Sequence, residues 1–263
     1  MVKPLEKRYL SDVEAERLYQ KYPEMKNGDY ELYCPTCSTK GVYVWDNETF
    51  TCNCQVQLNL YKQFLNAGIG VLYQRLTWED YEGDKDLKEL SKLYLENAEL
   101  LISRGMGIIL RGEFGVGKTL AMSLLMKDLL RAGYSVFSTT FTSMISMFTE
   151  GWKSQESQRL FQQKVEMSHI LLLDDLGKEM KTKTNLSEAT FDSVLRTRVQ
   201  SGRPTFITTN MSEEEMTSGY GGAIMSLLKE TSIDQEVSGE DFRIKAGKRS
   251  LMEALSGNIR PIV

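Results

Sequence analysis

Histidine is nearly missing from this chain: His169 is the only one in 263 residues. Chemistry built on an imidazole base, or on two or three histidines around a metal, is therefore largely excluded. His169 itself adjoins the apolar run Ile170–Leu173, which marks a core or strand-edge position rather than a catalytic one. Long apolar runs are missing too. None approaches the roughly 20 residues that span a bilayer, and the N-terminus MVKPLEKRYLSDVEAERLY carries charges where a signal peptide would carry an apolar core. A cytoplasmic location without membrane contact is the expectation. Positive charge is not in excess either: 32 Lys and Arg face 36 Asp and Glu. Coating nucleic acid by bulk charge is excluded, but a local basic groove is not. Neither an internal repeat nor a low-complexity tract interrupts a composition that is ordinary for a globular chain, long enough for one large domain and a small one.

Cysteine occurs in one place. Cys34, Cys37, Cys52 and Cys54 form C-x2-C, fourteen residues, then C-x-C. Between them, GVYVWDNETFT reads as two short strands around an Asp46-Asn47 turn, which brings the two pairs together in the manner of a zinc ribbon. Four thiolates suit tetrahedral, structural Zn²⁺, and a closed set of protein ligands leaves no open catalytic position. Unmodified thiols or a redox pair are the alternatives. Residues 1–60 form a module too small to fold around a hydrophobic core alone, so the metal is expected to supply much of its stability. Ser11–Tyr22 precedes it as a helix, ended by Pro23 and Asn27-Gly28.

The densest signal is RGEFGVGKTLAMSLLM. After the strand-like Ile108–Leu110, the run Gly112-Glu113-Phe114-Gly115-Val116-Gly117-Lys118-Thr119 is a complete P-loop pattern, and Leu120 to Arg131 continues with helical spacing. Glycines let successive backbone N–H groups point inward at phosphate oxygens, and the helix N-terminus adds partial positive charge. Lys118 reaches the β- and γ-phosphates, and the Thr119 hydroxyl ligates Mg²⁺. Next, HILLLDDLG holds a buried strand, Ile170–Leu173, ending in two carboxylates. Asp174 is read as the Mg²⁺ partner and Asp175 as the group orienting the attacking water. Ser135–Thr139 reads as a strand followed by a helix near Thr142–Thr149. Leu186–Gln200 reads as a helix. Thr205–Thr208 is a strand ending at Thr209 and Asn210, where an amide is placed to sense the γ-phosphate and the lytic water.

In order and spacing, GEFGVGKT, LLLDDLG, ITTN and GEDFR resemble AAA+ ATPases, and among them the DnaC/DnaI-type replicative helicase loaders, with IstB-type transposition ATPases close by. The segment FLNAGIGVLYQRLTWEDY resembles the linker before that ATPase core, and CPxC…CxC is similar to the cysteine cluster of such loaders. The resemblance implies an α/β fold: a parallel P-loop sheet flanked by helices with a short lid, beside the small zinc-ribbon-like module. The implied divisions are 1–60 (zinc and helicase-interaction module), 61–80 (linker), 81–250 (ATPase) and 251–263 (tail). Arg243 takes the place of the sensor-2 arginine facing the polyphosphate. ATP, Mg²⁺ and Zn²⁺ are the implied cofactors. A hexameric replicative helicase, single-stranded DNA and further copies joined through ATP sites are the implied partners. Thr140–Lys153, with Phe141, Phe148, Trp152 and Lys153, is the candidate DNA contact, although Phe141 and Phe148 fit core packing better; the basic run 177–184 is a second candidate. One departure is notable. Where loaders carry an interface arginine, this chain has AIMSLLKE with Leu227 at the matching position, which implies weak ATPase activity alone. Lys229, Arg196, Arg198 and Arg203 are the candidate cations to replace it. An IstB-like transposition helper and an ATP-binding helicase inhibitor are the alternative functions.

Overall fold

The computed structural model describes residues 41–177, 185–255 and 261–263. The expected helix Ser11–Tyr22, Cys34, Cys37 and the basic residues 178–184 lie outside these. The chain divides into two compact units, Met1–Leu65 with Gly247–Val263, and Asn66–Ala246.

In the first unit, β1 (Val42–Trp45) and β2 (Glu48–Thr51) pair antiparallel. Asp46 and Asn47 turn the chain with φ of 50° and 62°. Two successive left-handed residues match the twist of a two-residue hairpin, and Asp and Asn tolerate that conformation best after glycine. The helix α1 (Asn53–Asn66) follows, with Tyr61 and Phe64 fully buried. Its Gln57 grips the last residues of the chain. The Gln57 amide donates to Ile262 O at 3.0 Å, and Ile262 N donates to Gln57 Oε1 at 2.6 Å. The C-terminal residues, expected as a tail, are thus tied into this unit by a buried, two-way hydrogen bond.

The second unit is a five-stranded, all-parallel sheet. Its strands are β3 (Gly107–Arg111), β4 (Val136–Thr140), β5 (Ile170–Leu176), β6 (Thr205–Thr209) and β7 (Ser232–Glu236), in the order β4-β5-β6-β3-β7. Both faces are covered by helices, so the central strands read as continuous apolar runs. The edge strand β7, SIDQE, has no such run and carries no legible signal; its register on β3 creates it. The helices are α2 (Lys85–Glu96), α3 (Ala98–Ser103), α4 (Lys118–Arg131), α5 (Phe141–Glu150), α6 (Gln155–Phe161), α7 (Asn185–Gln200), α8 (Glu213–Tyr220), α9 (Gly222–Thr231) and the start of α10 (Arg243–Leu255), whose residues from Gly247 on are assigned to the first unit. Oxygen caps start several of them. Asp84 accepts from Asp86 N, Thr140 from Ser143 N, and Ser212 forms a reciprocal capping box with Glu215.

Residues 66–81, expected to be part of a linker, are fastened to this sheet. Ser138 N donates to Ala67 O at 2.7 Å, and a Cβ on Gly68 would lie 1.9 Å from Ser138 O, so only glycine permits that approach. Lys127, buried in α4, donates to the carbonyls of Tyr73, Gln74 and Leu76 at 3.2, 3.2 and 2.6 Å. Burial pulls its pKa down to about 8. Trp78 Nε1 donates to Asp128 on the same helix at 2.7 Å. The unit boundary accordingly falls at Asn66, beyond the expected limit of 60, and the stretch belongs to the second unit.

AIMSLLKE was read as part of a lid. It forms α9, which precedes β7 and buries Ile224, Met225 and Leu228 in the main core. Leu227 is partly buried against the same cluster. Arg198 is fully buried. Its Nη1 donates to Val165 O at 2.7 Å and Ser168 O at 3.1 Å, its Nη2 to Pro204 O at 2.7 Å, and its Nε to Thr205 Oγ1 at 3.1 Å. Five fixed donors in one plane satisfy carbonyls of several loops at once, so Arg198 clamps the fold and is not available to a neighbouring chain.

Candidate nucleotide site

Three parallel strands end side by side, and each delivers part of the site. The strand β3 ends at Arg111 and passes into the glycine loop. Gly115 and Gly117 have φ of 83° and 94°, a region that side chains resist, so the loop curls only because they are glycines. Glu113 and Phe114 are exposed, the latter by 54 %. Val116 is buried and Leu120 half-buried. The loop therefore offers backbone amides, not these side chains, to a ligand. Lys118 begins α4 and folds its ammonium back over the loop. It donates to Gly112 O and Glu113 O, both at 2.8 Å, and to Asn210 Oδ1 at 2.7 Å. Burial pulls the Lys118 pKa down, Asp175 and Asp174 push it back up, and Arg243 lowers it further. Lys118, both aspartates, Asn210 and Arg243 are thus brought into one electrostatic neighbourhood.

The Thr119 hydroxyl donates to Asp174 Oδ1 at 3.0 Å. A hydroxyl and a carboxylate side by side at a strand end are the hard oxygen ligands that Mg²⁺ takes, so these residues fit the ion. Among the described residues no cluster of three or more His, Cys, Asp or Glu is placed to hold a metal. Of the four cysteines, Cys52 is buried at the foot of the hairpin.

The expected strand Ile170–Leu173 is longer in the structure, as β5. The strand continues to Leu176 through both aspartates and bulges there. Leu173 faces Ile207 and Leu176 faces Thr209, so Asp174 and Asp175 stand against one residue, Thr208. Asp175 has φ of 58°, one of three non-glycine residues with positive φ among those described. A bulge re-aims side chains that would otherwise alternate between faces, and such bulges gather near active sites. Thr208 closes it: its hydroxyl accepts Asp175 N–H at 2.9 Å and donates to Asp174 Oδ1 at 2.6 Å. Thr208 was read only as a strand residue, and its companionship with two carboxylates 33 and 34 residues away has no local signature.

Two tyrosines of the 66–81 segment also enter. Tyr73 has its pKa raised by burial and by Asp174 and Asp175, with Arg243 opposing, so its phenol shares the field of the site. The Tyr81 ring abuts the loop; a Cβ on Gly117 would lie 3.0 Å from Tyr81 Cε2. Neither belongs to a motif, and only their aromatic character within an otherwise short connection hints at them.

The other candidates separate. Phe141 is buried, T-shaped against Phe191 at 5.4 Å. Phe148 lies between Phe161 and Trp152, at 5.4 and 5.5 Å. Trp152 is 66 % exposed beside an exposed Lys153. Lys229 forms an ion pair with Glu213, and Arg196 one with Asp192 at 2.9 Å. Arg203 donates to Glu166 O at 3.2 Å. His169 sits at the start of β5, where its Nδ1 accepts Ser135 N–H at 3.0 Å, a strand-edge role. No helix among the described residues is long and apolar enough to cross a membrane.

Comparison with known proteins agrees with this arrangement. The family model of IstB-like ATP binding proteins matches residues 72–249. The replicative helicase loader DnaC of Escherichia coli (strain K12) is 24 % identical over 177 residues, covering 65 % of this chain and 70 % of DnaC. The crystal structure of the DnaC helicase loader superposes with a TM-score of 0.58 at 19 % identity, over 64 % of this chain and all of that one. The replication initiator DnaA, bound to AMPPCP and single-stranded DNA, gives 0.53 at 22 % identity, over 70 % and 56 %. With its sheet order, its phosphate loop and the paired strand-end carboxylates accounted for, the chain belongs to the family of IstB-like ATP binding proteins.

Proposed function

We propose that this protein is an ATP-dependent loader that binds a hexameric replicative helicase and delivers it to single-stranded DNA. The observation that carries the reading is the clustering of Lys118, Asn210, Thr119 and Asp174 at the ends of three strands, in a chain similar to a protein named as a replicative helicase loader. The loop amides of Gly115–Leu120 hold the phosphates, and Lys118 moves from its carbonyl partners to them. Thr119 and Asp174 hold Mg²⁺, which neutralises phosphate charge when bound. Asp175, turned by the bulge, orients the attacking water, Asn210 hydrogen-bonds the γ-phosphate and that water, and Arg243 faces the developing charge. Copies of the chain assemble through these ATP sites, and the arc they form holds the DNA. Trp152 is the aromatic left exposed after α5, and with Lys153 it supplies a stacking face and a cation for single-stranded DNA.

A loading assay with a purified replicative helicase tests the function. A loader binds the helicase and speeds its transfer to DNA covered by single-strand-binding protein. An inhibitor binds and blocks. The family match also favours a transposition helper, and such a protein leaves the helicase untouched.

The first unit is proposed to bind the helicase, with Cys34, Cys37, Cys52 and Cys54 holding structural zinc. Support comes from the spacing of the cysteines and from the hairpin that forms between the pairs. Protein prepared without chelator is expected to contain about one zinc per chain, the stoichiometry of a four-thiolate site. Metal analysis giving clearly less removes this proposal while leaving the ATP site unaffected.

A further inference from the structure

Asp241 touches the phosphate loop and belongs to none of the nucleotide-binding roles above. A Cβ on Gly115 would lie 2.0 Å from Asp241 Oδ1 and 2.2 Å from its Cγ, so the carboxyl group rests on the bare α-carbon of the loop. The same Oδ1 accepts Arg243 N–H at 2.9 Å. Between them, Phe242 donates its N–H to Gly115 O at 3.1 Å. Four residues upstream the chain is fixed again. Val237 N donates to Arg111 O at 2.7 Å, and Val237 O fills the space beside Gly112, 2.1 Å from where its Cβ would stand. The segment 237–243 is therefore fastened to the loop at both ends, and the first two glycines of the P-loop have a second reason to be glycine. They leave room for this segment.

We infer that Asp241 is a positioning residue that seats the first turn of α10 on Gly115 and so presents Arg243 to the phosphates of the bound nucleotide. The inference rests on the reading of Arg243 as a phosphate-facing cation. Arg243 is exposed and has a long, rotamer-rich side chain. Such a group discriminates between ligands only if its backbone is held, and Asp241 holds it by an Asx-type hydrogen bond to its N–H. A carboxylate at a helix N-terminus is also favoured by the helix dipole, which offsets the cost of an anion near a phosphate site.

The test compares binding of fluorescent ATP and ADP analogues to the full chain, with Mg²⁺, in wild type, Arg243→Ala, Asp241→Ala, Asp241→Asn and the double alanine variant. Arg243→Ala is expected to lose about tenfold in the preference for ATP over ADP, the scale of one charge-assisted contact to the γ-phosphate. Asp241→Ala is expected to lose most of the same preference, and the double variant no more than Arg243→Ala alone. Asp241→Asn keeps a side-chain oxygen that accepts Arg243 N–H, and it is expected to restore the preference to within about twofold. A general folding defect would not spare the asparagine variant or alter one nucleotide selectively. If Arg243→Ala loses the preference and Asp241→Ala keeps it, or if the two losses multiply in the double variant, the positioning role is overturned. If Arg243→Ala itself keeps the preference, the reading of Arg243 fails, and Asp241's role falls with it.

Discussion

Replacing Lys118 by alanine will weaken ATP binding by at least about tenfold, since a single charge-assisted contact to phosphate is worth that much or more. Its ammonium already lies over the loop, held by Gly112 O, Glu113 O and Asn210 Oδ1. These acceptors keep it within reach of the phosphates, so a local shift of its side chain brings it to them. Asp174 and Asp175 lie nearby, and without Lys118 their charges face the triphosphate with Arg243 as the other cation acting on this neighbourhood. Titration calorimetry with Mg²⁺-ATP measures the effect directly. Equal affinity in the variant and the wild type would refute the assignment of the phosphate site.

The protein alone will hydrolyse ATP slowly. An arginine supplied by a neighbouring subunit is worth about 10³ to 10⁵ in rate where it has been studied. The position implied by family resemblance is Leu227, and it is packed against the core. The candidate cations to replace it are engaged: Arg198 within the fold, Arg196 with Asp192, Arg203 with a backbone carbonyl, and Lys229 with Glu213. Lys229 also lacks the planar fork that clamps a transferring phosphoryl group. ATP would then serve mainly to join subunits, with any fast turnover completed by a partner. Steady-state hydrolysis with single-stranded DNA across a range of protein concentrations tests this. Turnover should stay low and be essentially unchanged in Lys229→Ala or Arg203→Ala, since Lys229 is paired with Glu213 and Arg203 with a backbone carbonyl of its own chain. A steep rise with concentration that collapses in either variant would show a working finger in trans.

The nucleotide machinery was legible because it is local. Gly112 to Thr119 is a continuous run whose glycines, cation and hydroxyl need no distant partner to be recognised. Ile108–Leu110 and Ile170–Leu173 announce buried strands through unbroken apolar character. The Asp46-Asn47 turn is equally local, since two adjacent residues set the hairpin. Asn210 directly follows the strand β6, as expected, and its bond to Lys118 spans 92 residues.

Other features depended on partners far along the chain. The bulge at Asp174-Asp175 arises from pairing with β6, and Thr208 gains its role only because that strand lies alongside. The polar strand β7 has no periodicity of its own and exists through its ladder with β3. Arg198 has the sequence context of an ordinary helix cation, and burial among carbonyls from 30 or so residues away turns it into a clamp. The same holds for Asp241, whose contact with Gly115 crosses more than a hundred residues. Composition and spacing report what a residue is able to do within a few turns of chain. Which acceptor or glycine it meets across the sheet is settled by packing, because hydrogen-bonding groups removed from water must take the partners that the fold brings to them.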